Sequence, residues 1–223
     1  MPKKTTIRLL SGLELELLLL NEGDDYPLLA IYHDGLSSQW ALDAKMNITS
    51  SASALPLSGK PCTEFQIQSI RPRSLNGQSW ALHSGSGRVL QAFFDEIGVT
   101  QQECEVEDNR PAERPIMEVK LVEGPTLALS LCGEDNATPS LVIRHGDMIS
   151  EWGLDCGIDT SHVYAIEGGV SHGRLQIYGK NGQDYQQWFV KTEEVDRIAM
   201  FLKQQRFPLP NWTPLDPTLL EQQ

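Results

Sequence analysis

Basic residues are scarce in this sequence. Against 30 aspartates and glutamates it sets only 18 lysines and arginines, for a formal net charge of −12. The shortage is even along the chain, with 14 acids and 9 bases in residues 1–110 and 16 and 9 in the remainder. Phosphate-rich partners are held by clustered Lys and Arg, so the composition speaks against direct binding to nucleic acid or to an anionic membrane. An acidic surface keeps a protein soluble, and it can also dock a basic partner or imitate nucleic acid.

Cysteine is sparse too. Cys62, Cys104, Cys132 and Cys156 form no CxxC pair and no metal-finger spacing. Long apolar runs are missing: Leu13–Leu20 is interrupted by Glu14 and Glu16, and no small-residue cleavage site follows the basic start MPKKTTIRLL. The expectation is therefore neither a signal peptide nor a membrane-spanning helix, and free thiols in a reducing cytoplasm. Catalytic signatures are lacking as well: there is no Gly-x-Ser-x-Gly elbow, no phosphate loop and no Cys–His motif. No cofactor, no metal and no catalytic residue is predicted.

What the sequence does have is an internal repeat. Ile7–Asp43 lies on Val119–Asp155 at an offset of 112 without a gap, with the same residue at 14 of 37 positions. Among the matches are Gly12/Gly124, Leu15/Leu127, Leu17/Leu129, Leu19/Leu131, Leu29/Leu141, Ile31/Ile143, His33/His145, Trp40/Trp152 and Asp43/Asp155. Self-similarity at a fixed offset marks a repeated structural unit. Leu13–Leu20 and Pro27–His33 alternate as strands, Asp34-Gly35 is a hairpin turn, and Ser37–Ala44 returns to close a meander. Phe65-Gln66-Ile67 answers Leu175-Gln176-Ile177, and Trp80 answers Trp188. Lys45–Lys60, rich in Ser, Ala and Pro, reads as a loop or a poor edge strand.

Each copy closes in a helix. Val89, Leu90, Phe93, Phe94 and Ile97 stand at helical spacing within Gly87–Ile97, with Gly98 as the stop. In the second copy Thr192 caps Glu193–Gln205, whose stripe is Val195, Ile198, Phe201 and Leu202. The resulting division is 1–98, a linker 99–115, 116–205, and a proline-rich tail 206–223. The expected fold class is α+β: two tandem duplicated domains, each an antiparallel meander, barrel or sandwich of five to seven strands ending in one helix. That order resembles a pleckstrin-homology-like barrel with its terminal helix as plug. The resemblance is one of architecture and carries no lipid-binding motif, since the first hairpin has Arg8 or Lys120 beside several acids.

The shared residues predict a core. Trp40, Trp80, Trp152 and Trp188 are expected as buried anchors, His33 and His145 as structural histidines satisfied by backbone, and Asp43 and Asp155 as strand-end caps. Asp155, Cys156, Asp159 and His162 mix metal-ligand types without a recognised spacing. The unshared positions are more telling. On the second face of the first meander stand Leu18, Leu20, Leu28, Ala30 and Tyr32, where the copy has Ser130, Cys132, Ser140, Val142 and Arg144. An apolar face of that kind calls for a cover: the other repeat, a helix, a second copy of the chain, or another protein. Trp212, Leu215, Leu219 and Leu220 give the tail its own docking residues. The functional expectation is a non-enzymatic interaction module, such as an adaptor, assembly factor or chaperone. Beside it stand an acidic inhibitor of a basic partner, and a small-ligand binder or enzyme of unrecognised type.

Overall fold

The computed structural model describes residues 3–51, 62–69, 76–104, 115–132, 140–153, 156–163, 172–179 and 184–204. In chain order the first half supplies β1 (Lys4–Arg8), β2 (Glu14–Leu20), β3 (Leu28–His33), β4 (Leu36–Ala41), β5 (Lys45–Ser51), β6 (Cys62–Gln68), β7 (Gly77–Leu82) and α1 (Ser86–Ile97). The second supplies β8 (Pro115–Val119), β9 (Leu127–Cys132), β10 (Ser140–His145), β11 (Met148–Gly153), β12 (Gly157–Val163), β13 (His172–Tyr178), β14 (Tyr185–Val190) and α2 (Glu194–Gln204). Over the described residues the protein is thus mostly antiparallel β, with two seven-stranded sheets and two helices. Asp155 and the tail residues Trp212, Leu215, Leu219 and Leu220 lie outside the described residues.

The registers of the two halves correspond. Ile7 faces Leu15 as Val119 faces Leu127, and Leu29 faces Trp40 as Leu141 faces Trp152. Phe65 faces Trp80 as Leu175 faces Trp188. The β3–β4 turn puts both Asp34 and Gly35 at positive φ, as a two-residue hairpin with an Asp-Gly sequence requires. In the mirrored turn the order is Gly146-Asp147, and only the glycine takes positive φ.

The connectivity differs from a tandem arrangement in which each unit owns its sheets. Sheet A runs β1-β2-β3-β4-β14-β13-β12, and sheet B runs β5-β6-β7-β11-β10-β9-β8. Each sheet therefore takes four strands from one half and three from the other. The joints are two antiparallel ladders: Leu36–Gln39 of β4 against Tyr185–Trp188 of β14, and Gly77–Trp80 of β7 against Met148–Glu151 of β11. The sheets also meet at two corners. Leu10 N–H donates to Ala81 O and His83 N–H to Arg8 O; Val122 N–H donates to Phe189 O and Lys191 N–H to Lys120 O.

Alternation along the strands sends one parity inward, and the inward residues of both halves form one continuous apolar cluster. Trp40, Trp80, Trp152 and Trp188 are all fully buried within it. The indoles of Trp40 and Trp152 stack across the joint with centroids 5.7 Å apart, a contact of about 0.5–1.5 kcal/mol beyond its area. Trp40 Nε1–H donates to Gln78 Oε1 at 3.0 Å, and Trp152 Nε1–H to Gln186 Oε1 at 2.7 Å. Both glutamines lie on the joining strands, so the polar ends of these two indoles are satisfied at the seam itself.

The helices cover the ends of this core. α1 packs on β1 and β6, and α2 on β8, β12 and β13. Ser86, at the start of α1, donates its hydroxyl to Arg8 O at 2.7 Å and accepts from Arg8 N–H at 3.0 Å, which pins the helix to β1. Gly98 ends α1 in the left-handed region, its N–H returning to Phe94 O. α2 approaches β13 so closely that a Cβ on Gly173 would run into the Val195 methyl. The stretch read as a loop or poor edge strand is, over Lys45–Ser51, the edge strand β5. Met46 is fully buried there, and the start of the segment read as linker lies alongside: Gln102 N–H donates to Met46 O, and Ile48 N–H to Gln101 Oε1. Polar composition hid this strand because only its inward positions need be apolar.

The Trp152–Gln186 bond gives a stability prediction. Gln186→Leu leaves a buried indole N–H without an acceptor and should cost about 1–3 kcal/mol in urea unfolding. Combined with Trp152→Phe, the loss should be smaller than the sum of the two single losses. Strict additivity would show that the bond contributes nothing.

Candidate functional site

The outward parity of sheet A assembles the five residues singled out in the first meander. Leu18 stands opposite Ala30 and Leu20 opposite Leu28, while Tyr32 faces Glu16. Leu18, Leu20 and Leu28 are half-buried and Tyr32 is 37% exposed, whereas Ala30 is fully buried. The face does not stop at the meander. The row through Ala30 continues to Gln39, Tyr185 and Tyr178, and the row through Tyr32 to Ser37, Gln187 and Gln176. Tyr185 donates its hydroxyl to Gln187 Oε1 at 2.7 Å, and burial pushes its phenol above the usual range. The ring of Tyr178 lies over Gly157, where a Cβ would collide with it. Sequence reading missed this aromatic and amide extension because β13 and β14 belong to the other half. The signal was the alternation Tyr185, Gln187, Phe189 against Gln186, Trp188, Val190.

Polar groups border this face. Arg174 pairs with Asp159 at 3.6 Å and donates from Nε to Ser161 Oγ at 3.2 Å. Lys3 pairs with Glu22 at 2.8 Å. Where β3 begins and β4 ends, a cleft of about 440 Å³ is lined by Asp25, Tyr26, Pro27, Leu28, Ala41, Leu42 and Asp43. Asp43 thus stands at a cleft mouth that shares Leu28 with the apolar face. The main contacts of α1 are with β1 and β6 and those of α2 with β8, β12 and β13, rather than with β2 and β3, which carry the five residues.

The outward parity of sheet B is the reverse of what its residue types suggest. Ser130, Ser140, Val142, Cys132, Ile149, Glu64 and Gln66 are all buried. Cys132, Val142 and Ile149 form a small apolar cluster of their own, and Ser140 Oγ donates to Glu151 Oε1 at 2.6 Å. The apolar face is the open one, and the mixed face is the enclosed one.

The described residues of mixed metal-ligand type, Cys156, Asp159 and His162, are not gathered. Asp159 and His162 point to opposite faces of β12, Asp159 engages Arg174, and Cys156 is buried. Among the described residues no three His, Cys, Asp or Glu side chains could hold a metal ion. The two repeated histidines do come together. His33 Nδ1 lies 2.9 Å from Glu14 O, and its ring centroid is 5.7 Å from that of His145. No family model, no curated protein and no solved structure matches the chain.

Cysteine chemistry can be placed by its electrostatics. Burial first, and Glu64 in addition, push the Cys104 thiol up to about 11 against the opposing pull of Lys45. A nucleophilic cysteine needs the opposite shift. Peptide-level mass spectrometry at pH 8 should find Cys104 alkylated by iodoacetamide at least about tenfold more slowly than a free cysteine peptide, the thiolate being the reactive form. Reaction at the free-thiol rate would contradict this environment.

Proposed function

We propose that the protein is a non-enzymatic interaction module that binds another protein through the outer face of sheet A. One observation carries the reading: Leu18, Leu20, Leu28 and Tyr32 form an apolar face that stays partly open while its counterpart on sheet B is buried. Apolar side chains gathered on a monomer's surface normally have a cover. Tyrosine is among the residue types that anchor interfaces, and Tyr32, with Tyr185 and Tyr178 in the adjoining rows, supplies such anchors. Asp25 and Asp43 beside the face, with the net charge of −12, favour a partner whose rim is basic. Adaptor, assembly factor and cytoplasmic chaperone are roles of this class. Each half, ordered as four strands, three strands and a helix, fits a pleckstrin-homology-like unit joined edge to edge with its twin.

The acidic composition supports a second reading, a mimic that blocks a basic groove by charge alone. Binding to a partner captured on immobilised protein separates the two. Leu18→Lys and Tyr32→Ala should weaken capture by about tenfold or more with unchanged circular dichroism, while Val89→Lys on the exposed side of α1 should bind as wild type. If Leu18→Lys binds normally and capture collapses between 0.1 and 0.5 M salt, the apolar-face reading is wrong and the charge mimic takes its place.

A further inference from the structure

His33 closes β3 in sheet A and His145 closes β10 in sheet B, so the two rings approach from opposite walls of the core. His33 is 6% exposed and His145 fully buried. Their ring centroids are 5.7 Å apart, and the Trp80 ring meets His33 edge-on at 5.6 Å. His33 is anchored by the Glu14 carbonyl. Among the described residues His145 has no hydrogen-bond partner at either ring nitrogen, and the indole nitrogens of Trp80 and Trp188 are likewise unpartnered.

A buried imidazole with no acceptor can stay in place only while neutral. Leu36, Trp80, Met148 and Trp188, paired across the two joining ladders, surround the strand ends with apolar bulk. The charged groups nearby offer little relief. Asp34, in the β3–β4 turn, favours protonation, but its carboxylate is lodged against Gly124. Asp147, next to His145 in the opposite turn, accepts from Ser11 N–H at 2.7 Å. Glu14 turns its own side chain to solvent and presents His33 with its carbonyl. Arg144 points to the other face of β10.

We infer that the His33–His145 contact is an acid-operated latch: a proton on the pair forces the two sheets apart at the seam and releases the tryptophans packed there. Above the ordinary histidine range His145 is neutral and the seam is closed. Burial, and then the neighbouring His33, lower the affinity of His145 for its proton, from an ordinary 6.5 to about 4. In the open or unfolded chain His145 takes its proton near 6.5, so its contribution to the closed state is fully present above that pH and is lost as the pH falls towards 4. A shift of that size changes the closed-to-open ratio on the order of a hundredfold.

Tryptophan fluorescence of the full chain between pH 7.5 and 4 tests the latch. The wild type should show a reversible, cooperative transition as the buried indoles meet water, with its midpoint between 6.5 and 4. His145→Leu should move that midpoint down by about one pH unit or more, while His83→Gln, at an exposed histidine, should leave it unchanged. An unchanged midpoint in His145→Leu overturns the proposal, because carboxylates would then be the cause. If that variant fails to fold, the imidazole resonances of the wild type decide. His145 protonating in step with the fluorescence change supports the latch. His145 titrating near 6.5 while the indoles stay buried overturns it.

Discussion

Two short backbone ladders, β4 with β14 and β7 with β11, are what the rest of the structure depends on. Take them away and each half is left with exposed sheet edges at β4 and β7 or at β11 and β14. An unpaired edge is a template for unwanted pairing. The inward faces of those same strands carry Trp40, Trp80, Trp152 and Trp188, all fully buried in the intact chain. Burying an aromatic side chain contributes roughly 1.5–3 kcal/mol, so four indoles at one seam outweigh any surface ion pair among the described residues. Lys3–Glu22 and Lys4–Glu16, both substantially exposed, are of the kind that contribute little.

This dependence organises the interior chemistry. A seam made only of leucine and valine would be indifferent to pH and tolerant of slippage. Here it also carries Gln78 and Gln186 bonding indoles, and two imidazoles in contact. Polar groups of this kind fix which strand meets which, because a shift of one residue would turn Gln186 outward and Gln187 inward and leave the Trp152 nitrogen unpaired. Beside them, several buried nitrogens have no partner among the described residues, those of His145, Trp80 and Trp188 included. Specificity of pairing thus comes from Gln78 and Gln186, and the acid response proposed above from the imidazoles packed beside the same seam.

Much of the architecture was legible in the sequence for a physical reason. The repeated leucines and tryptophans share strand parity, and parity decides which side chains face the core; Leu15, Leu17, Leu29, Ile31 and Trp40 are buried accordingly. Both helices fall within a residue or two of their expected bounds. Edge pairing was not legible. Alternation looks the same whether a strand's next neighbour belongs to its own half or to the other, so nothing in β4 announces β14. For the same reason the candidate face was read only as far as Tyr32, and its continuation through Gln39, Tyr185 and Tyr178 emerged with the fold. Nor did residue type foretell exposure: Ser130 and Ser140 are enclosed while Leu18 and Leu20 stay partly open. Parity says which way a side chain points, and only tertiary structure says whether something lies there.

The central claim is that neither half completes its sheets alone. It is tested most directly by producing residues 1–104 and 105–223 as separate chains and following urea unfolding of each and of their equimolar mixture. Each fragment alone should lack a cooperative transition and its tryptophans should be solvated, while the mixture should regain buried tryptophans and a single transition. Two fragments that each unfold cooperatively by themselves, and gain nothing on mixing, would contradict the account.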